Sequence, residues 1–308
     1  MNDEPGAGSE LYELFPVVRR CYEQIEEWTG LDAQRILTEG REAGKEHRQG
    51  IGPIRQAAAV LGIADVLAEE YGIAPRAVSG LSFGALVGAS LAGAVERREL
   101  FELLMRMREL PVPAGADGAR RQGVAAIRVP YDLDLEERLD GHAVYLSADL
   151  GRVGSGDERM VLLAGYRSDL EEFGTQLPPG SLQVSPEHGI AFHSPLQQDI
   201  AEFLEPMLKE MDFRDPRVPV YSCLEPKALT TGEEIRDLFR RNPTDPVSVP
   251  YMMSGLERGG VELGLVLGPC SFGTFLRSSF SVVHVESPDH VFEAMTAIYE
   301  LGIELSSN

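Results

Sequence analysis

With 308 residues, of which 43% are hydrophobic and 25% charged, the chain has a globular composition and room for one large domain or a main domain carrying a smaller one. A formal net charge of −21 works against nucleic acid and anionic membranes, which the chain repels at long range. No apolar run approaches the roughly 20 residues of a membrane span, and the opening MNDEPGAGSELYELF lacks the apolar segment of a secretory signal, so a cytoplasmic protein is expected. The three cysteines, Cys21, Cys223 and Cys270, contain no C-x-x-C pair and are expected to be reduced and mostly buried; the neighbours of Cys270 in LGPCSFG are those of a site, but inert burial is the favoured reading for it too.

In chain order, the pattern from Glu10 to Leu37 predicts amphipathic helix broken near Thr29-Gly30. Pro53 to Tyr71 predicts a second helix, opened by proline and closed by Gly72. A short β-capable run, 74–79, then leads into GLSFG (80–84) and a small-residue helix from Ala85 to Ala94. Strand, G-x-S-x-G and helix in that order form the setting of a nucleophile elbow. The serine projects from a strained turn, and the amides that open the helix can stabilise an oxyanion. Ser82 is therefore the candidate nucleophile. Gly80 and Gly84 are expected to admit close packing on either side of it, and Gly88 to let the helix sit close on the sheet.

A helix from Arg97 to Leu110 and a Pro/Gly-rich linker, PVPAGADGARRQG, follow. Between Arg97 and Arg128 seven arginines stand against four acids, a local net charge of +3 on an otherwise acidic chain. This is either a solvated face or a docking place for an anionic partner. Beyond it come VAAIRV (124–129), DLEERL (134–139), AVYLSA (143–148), RMVLLAG (159–165), SDLEEFGTQL (168–177) and SLQVS (181–185). Their order, βαββαβ, is that of a ferredoxin-like module. The expected fold class is α/β: an α/β-hydrolase-like large domain with a parallel sheet, formed by 1–122 and 187–308, and an inserted ferredoxin-like small subdomain, 123–186. The returning chain predicts a helix from Gln197 to Met211, a strand at 218–222, helices near 232–241 and 249–258, strands at 264–268 and 281–285, and a last helix near 290–301.

A serine hydroxyl needs a base within hydrogen-bond reach before it can attack a carbonyl. Of the six histidines, His47 and His142 lie in polar, exposed-type surroundings, His284 lies inside a strand, His188 in a loop, and His290 opens the last helix. His193, in Ala-Phe-His-Ser-Pro at the return into the large domain, is the distinctive one.

The motif G-x-S-x-G, an arginine-bearing helix, a ferredoxin-like insert and F-H-S-P with its histidine 111 residues after the serine together resemble the malonyl-CoA:acyl carrier protein transacylases and the acyltransferase domains of polyketide synthases. FRDPRVPVYS (213–222), TTGEEIRDLF (230–239), TDPVSVPYMMSGLERGGV (244–261) and LGLVLGPCSFGTFL (263–276) extend the resemblance to about residues 7–305. It implies ping-pong acyl transfer, with Ser82 accepting the acyl group, His193 as general base steadied by backbone carbonyls, and the Phe83 N–H in the oxyanion hole. It implies Arg108 as the guanidinium that forks onto a malonyl carboxylate. That assignment takes one inserted residue; without the insertion Met107 falls at the position, and Arg106 is the fallback. Phe192, Leu81 and Asn242 are implied as substrate-binding, with the Phe192 ring restricting α-substituents.

The same resemblance implies no permanently bound cofactor, acyl-CoA or a phosphopantetheinyl carrier protein as substrate, a place in polyketide or fatty acid biosynthesis, and a monomer. An acidic carrier protein is expected to dock on Arg97, Arg98, Arg120 and Arg121.

The sequence also departs from the family pattern. The family begins with a strand and a GQGSQ loop that supplies half the oxyanion hole, whereas MNDEPGAG resembles only the segment after that loop, leaving Phe83 N–H as the one clear donor. Either a misassigned start codon hides an upstream strand, or the chain is a shortened, specialised relative. A second family glutamine falls on Ile54, with Gln56 expected to turn elsewhere. Leu81 replaces a histidine, Ala85 a glutamate, and SADLGRVGSGDERM the N-x-P-x-Q stretch. Two other functions remain open: an editing hydrolase that gives the acyl group to water, and a non-catalytic module that binds carrier protein.

Overall fold

The computed structural model describes residues 5–40, 49–110, 121–186, 189–270 and 277–305. The N-terminal helical pattern resolves into α1 (Ser9–Leu14), α2 (Pro16–Thr29) and α3 (Ala33–Thr38). Pro16 starts α2 because its fixed φ and missing N–H suit a first helical position, and Gly30 ends it in the left-handed region at φ 69°. After α4 (Gly52–Tyr71) come the short strand β1 (Val78–Ser79), α5 (Phe83–Leu91) and α6 (Arg97–Met107).

The middle of the chain forms β2 (Gln122–Pro130), α7 (Leu135–Leu139), β3 (Val144–Val153), β4 (Glu158–Tyr166), α8 (Arg167–Thr175) and β5 (Leu182–Val184). These strands lie in the spatial order β5-β2-β4-β3, all neighbours antiparallel, which is the ferredoxin arrangement. Alternate residues of one sheet face, among them Ile127, Val129, Val161 and Leu163, pack with Leu135 and Leu139 of α7 and Leu170 and Phe173 of α8 into a core of their own.

The remainder comprises α9 (Gln198–Glu210), β6 (Val220–Tyr221), β7 (Ala228–Leu229), α10 (Gly232–Arg241), β8 (Val247–Ser248), α11 (Val249–Arg258), β9 (Leu263–Leu267), β10 (Ser281–Val285) and α12 (Pro288–Glu300). One large core joins α2, α4, α5, α6 and α9 to these strands. β8 pairs parallel with β3, Ala148 opposite Val247 and Asp149 opposite Ser248, and so extends the small sheet with a strand from the returning chain. Ala148 and Leu150 correspondingly sit in the large core.

The other strands form two small sheets: β1 pairs parallel with β6, which pairs antiparallel with β7, and β9 pairs parallel with β10. Among the described residues no strand bridges β1 and β9, and both line one cavity of about 1930 Å³. No described helix is long and apolar enough to cross a membrane.

Candidate active site

Ser82 immediately precedes α5 and holds φ 54° and ψ −115°. A non-glycine residue in such a conformation costs about 1–3 kcal/mol and persists only where its surroundings enforce it. Gly80 is part of that enforcement: a Cβ there would collide with the Gly84 carbonyl and lie 2.6 Å from the Ala85 nitrogen. Gly84 differs from expectation, because a Cβ on it meets nothing within 4 Å. Close packing therefore demands only the first glycine of the motif. Gly88 lets α5 approach β1, since its Cβ would lie 3.0 Å from Val78 Cγ1.

The turn aims Ser82 Oγ at His193, whose Nε2 lies 2.7 Å away. The opposite ring nitrogen, Nδ1, donates to the Asn242 backbone carbonyl at 2.7 Å. That contact places the ring proton on Nδ1 and leaves the Nε2 lone pair facing the serine, the tautomer a general base requires. His193 is itself a left-handed residue at φ 52°, and Ser194 Oγ donates to the Ala191 carbonyl at 2.7 Å across it.

The two partners of the imidazole sit at opposite helix poles. Ser82 lies at the N-terminal end of α5 and Asn242 is the C-cap of α10. A helix carries roughly +0.5 charge at its N-terminus and −0.5 at its C-terminus, so developing negative charge at Ser82 and positive charge at His193 are both favoured. Phe83 supplies the first amide of α5, which no intrahelical carbonyl can accept. The next two amides are engaged, Gly84 with the Leu81 carbonyl at 2.9 Å and Ala85 with the Ser82 carbonyl at 3.0 Å.

Leu81, Phe83, Phe192 and Asn242 line the large cavity together with Ser82 and His193. The Asn242 Oδ1 atom is buried and has no hydrogen-bond partner among the described residues. α6 presents Leu103 and Met107 to the cavity, one turn apart. Arg108 is the half-buried C-cap of α6 and is not among the lining residues. Arg106 is exposed, paired with Glu109, and lies 4.3 Å over the Phe203 ring. Of Arg106, Met107 and Arg108, the cavity lining includes Met107, the position an ungapped reading gives.

Gln56 also departs from expectation. It lines the cavity and its Nε2 donates to the Pro269 carbonyl at 3.2 Å, whereas Ile54 is fully buried. The signal was helical: Pro53, Gln56, Val60, Ala64 and Leu67 recur on one face of α4 and all line the cavity.

The arginines expected to dock a carrier are unequal. Arg97 forks onto Asp65 at 2.7 and 2.5 Å, and this pairing holds its guanidinium above the ordinary value. Arg98 pairs with Glu102 one turn along, Arg121 is exposed, and Arg120 lies outside the described residues. His47 and His188 also lie outside them. His142, expected in the open, is half-buried with its ring edge-on to Phe173 at 5.0 Å. His284 is half-buried in β10, and His290 Nδ1 accepts from the Glu286 amide.

Cys21 and Cys223 are buried, and Cys270 is half-buried and lines the cavity. Burial pushes the Cys223 thiol up to about 11 against an opposing hydrogen bond from the Ser82 backbone, and burial with Asp65 nearby pushes Cys21 up to about 12.

No protein-family model matches the chain. The malonyl CoA-acyl carrier protein transacylase of Escherichia coli strain K12 is 24% identical over 96% of this chain and 97% of its own. Over nearly its whole length this chain is similar to the malonyl-CoA:acyl carrier protein transacylases. Solved structures place it in the transacylase fold. A malonyl-transacylase in complex with the holo acyl-carrier protein of a type II polyketide synthase superposes with a TM-score of 0.80, 20% identity and 96% coverage of both chains. The acyltransferase domain from the second module of the salinomycin polyketide synthase gives 0.80 and 20% identity, covering 98% of this chain and 71% of that one. The similarity runs through both the large core and the inserted sheet, since the matched spans take in nearly the whole sequence.

Proposed function

We propose that the protein is a ping-pong acyltransferase that carries an acyl group on Ser82. His193 Nε2 takes the Ser82 Oγ proton as Oγ attacks the carbonyl carbon of an acyl thioester. The resulting oxyanion is stabilised at the start of α5, with the Phe83 N–H as donor. Collapse breaks the C–S bond, and the departing sulfur takes the proton from the His193 imidazolium, leaving acyl-Ser82 and a free thiol. A phosphopantetheine thiol then repeats the sequence in reverse, giving its proton to His193 and leaving with the acyl group.

The observation that carries this reading is the serine, imidazole and carbonyl relay, with 2.7 Å at each link, set on a strained turn at a helix N-terminus. Similarity to malonyl transacylases supports coenzyme A and acyl carrier protein as the acyl donor and acceptor, in polyketide or fatty acid biosynthesis. Malonyl is the favoured acyl group on that similarity, with Phe192 limiting α-substituents. Leu81 and Asn242 complete the substrate-binding set, and 123–186 is taken as the inserted subdomain. Carrier docking is assigned to Arg98, Arg120 and Arg121, Arg97 being committed to Asp65.

Mass spectrometry of the protein after incubation with malonyl-CoA and with acetyl-CoA is the test. The expected result is an acyl adduct on the Ser82 peptide that is absent in Ser82→Ala and discharged by holo acyl carrier protein. An unlabelled Ser82 with every acyl thioester rejects acyl transfer, and release of free acid faster than thiol transfer assigns the site to hydrolysis.

A further inference from the structure

His193 needs more than its two ring contacts. Its backbone is held in the left-handed region, where a β-carbon is disfavoured, and the ring reaches Ser82 only while that conformation lasts. Within the loop, Ser194 Oγ donates to the Ala191 carbonyl at 2.7 Å and the Gln197 amide donates to the Ser194 carbonyl at 2.9 Å. Both bonds shape the loop, but neither fixes it to the rest of the molecule.

Gln122 makes that attachment. It is the first residue of β2, paired in register with Tyr166 of β4, and its neighbour Arg121 accepts a hydrogen bond from the Arg167 amide at 2.8 Å. Its Oε1 accepts the Ala191 backbone N–H at 3.0 Å and Gln197 Nε2–H at 2.8 Å. The two donors bracket His193, two residues before it and four after. One amide oxygen has two lone pairs and can serve both. The Ala191 amide can only donate, so it fixes which end of the Gln122 side chain faces the loop.

Burial makes the arrangement hard to replace. Ala191 and Ser194 are fully buried, Gln197 is 1% exposed and Gln122 7%. If the acceptor were lost, two buried donors would be stranded where water does not readily reach. Gln122 stands where the chain enters the inserted sheet, and Ala191 to Gln197 where it comes back. The same oxygen therefore registers both crossings against each other.

We infer that Gln122 is the positioning residue of His193, a clamp by which the first strand of the inserted sheet sets the place of the base. This rests on the acyl-transfer reading. It extends that reading to a side chain about 70 residues from His193 in sequence that is not among the residues lining the cavity.

Gln122→Met keeps the length and volume and removes the acceptor, whereas Gln122→Glu keeps an acceptor of the same reach. Single-turnover acylation of Ser82 by an acyl-CoA, measured in the full chain, should fall about 10²-fold in Gln122→Met, the scale of an ångström-size misplacement. Half-saturation should stay near wild type, and Gln122→Glu should recover most of the rate. Hydrogen exchange at the Ala191 amide should accelerate in Gln122→Met and not in Gln122→Glu. Wild-type acylation and exchange rates in Gln122→Met would overturn the inference, as would equal losses in both variants. A wild-type protein that acylates no serine would instead reject the functional reading, and the exchange measurement would still report whether the clamp exists.

Discussion

A β-carbon on Gly80 would collide with the carbonyl of Gly84, whereas a β-carbon on Gly84 itself would meet nothing within 4 Å. The two glycines flanking Ser82 are therefore not equivalent. Gly80→Ala should disrupt the turn and abolish Ser82 acylation. Gly84→Ala, inside α5, should leave acylation intact and raise stability by up to about 1 kcal/mol through helix propensity. Denaturant unfolding of both variants checks this; a Gly84→Ala loss as large as that of Gly80→Ala contradicts it.

The His193 ring does its work, while at Asn242 the backbone does. His193→Ala should slow Ser82 acylation by ~10²–10⁴, the usual range for a general base. Asn242→Ala keeps the peptide carbonyl that accepts from Nδ1, so its acylation rate constant should stay close to wild type, with any change falling on half-saturation. Single-turnover kinetics separate the two outcomes, and matching rate losses would show that the carbonyl alone does not hold the ring.

Met107, not Arg108, faces the cavity from α6. Met107→Arg should therefore raise malonyl loading relative to acetyl loading, because a guanidinium binds a carboxylate in two-point fashion. Arg108→Ala should leave that ratio unchanged. Competition between the two acyl-CoAs, read as the adduct ratio on Ser82, gives the answer.

The thiols predict a pH dependence of stability. Burial raises Cys223 to about 11 and Cys21 to about 12 from an ordinary 9.0. Their folded forms stay protonated where the unfolded thiols ionise. The associated stability is therefore complete below pH 9.0 and is lost as pH rises through 11 and 12. Thermal midpoints should fall over that window, and Cys223→Ser should fall less steeply than wild type. At about pH 8, alkylation should reach half-buried Cys270 first and the two buried thiols only on unfolding.

Local chemistry was legible in the sequence. Ser82 announced itself through strand, glycine turn and small-residue helix, and the alternation of β2 and β4 with the spacing of α7 and α8 gave the inserted module. What the sequence hid was non-local or carried by the main chain. The Asn242 carbonyl has no side-chain signature. β8 is a two-residue strand, recognisable only by its pairing with β3 about 100 residues earlier. The choice between Met107 and Arg108 is a one-residue shift, equal to about 100° of helix rotation, and motif similarity alone could not fix it. Gln56 stands two residues from the family position, and only the face of α4 it shares with Pro53 and Val60 carries it to the cavity wall.

Two of the four groups at the site, the Phe83 N–H and the Asn242 carbonyl, belong to the peptide backbone, the others being Ser82 Oγ and the His193 ring. Only proline at 83 removes the first, and no substitution removes the second. A site built this way tolerates drift in the residues around it far better than one built from side chains. That accommodates how a chain only 24% identical to the Escherichia coli transacylase keeps a serine and an imidazole in register.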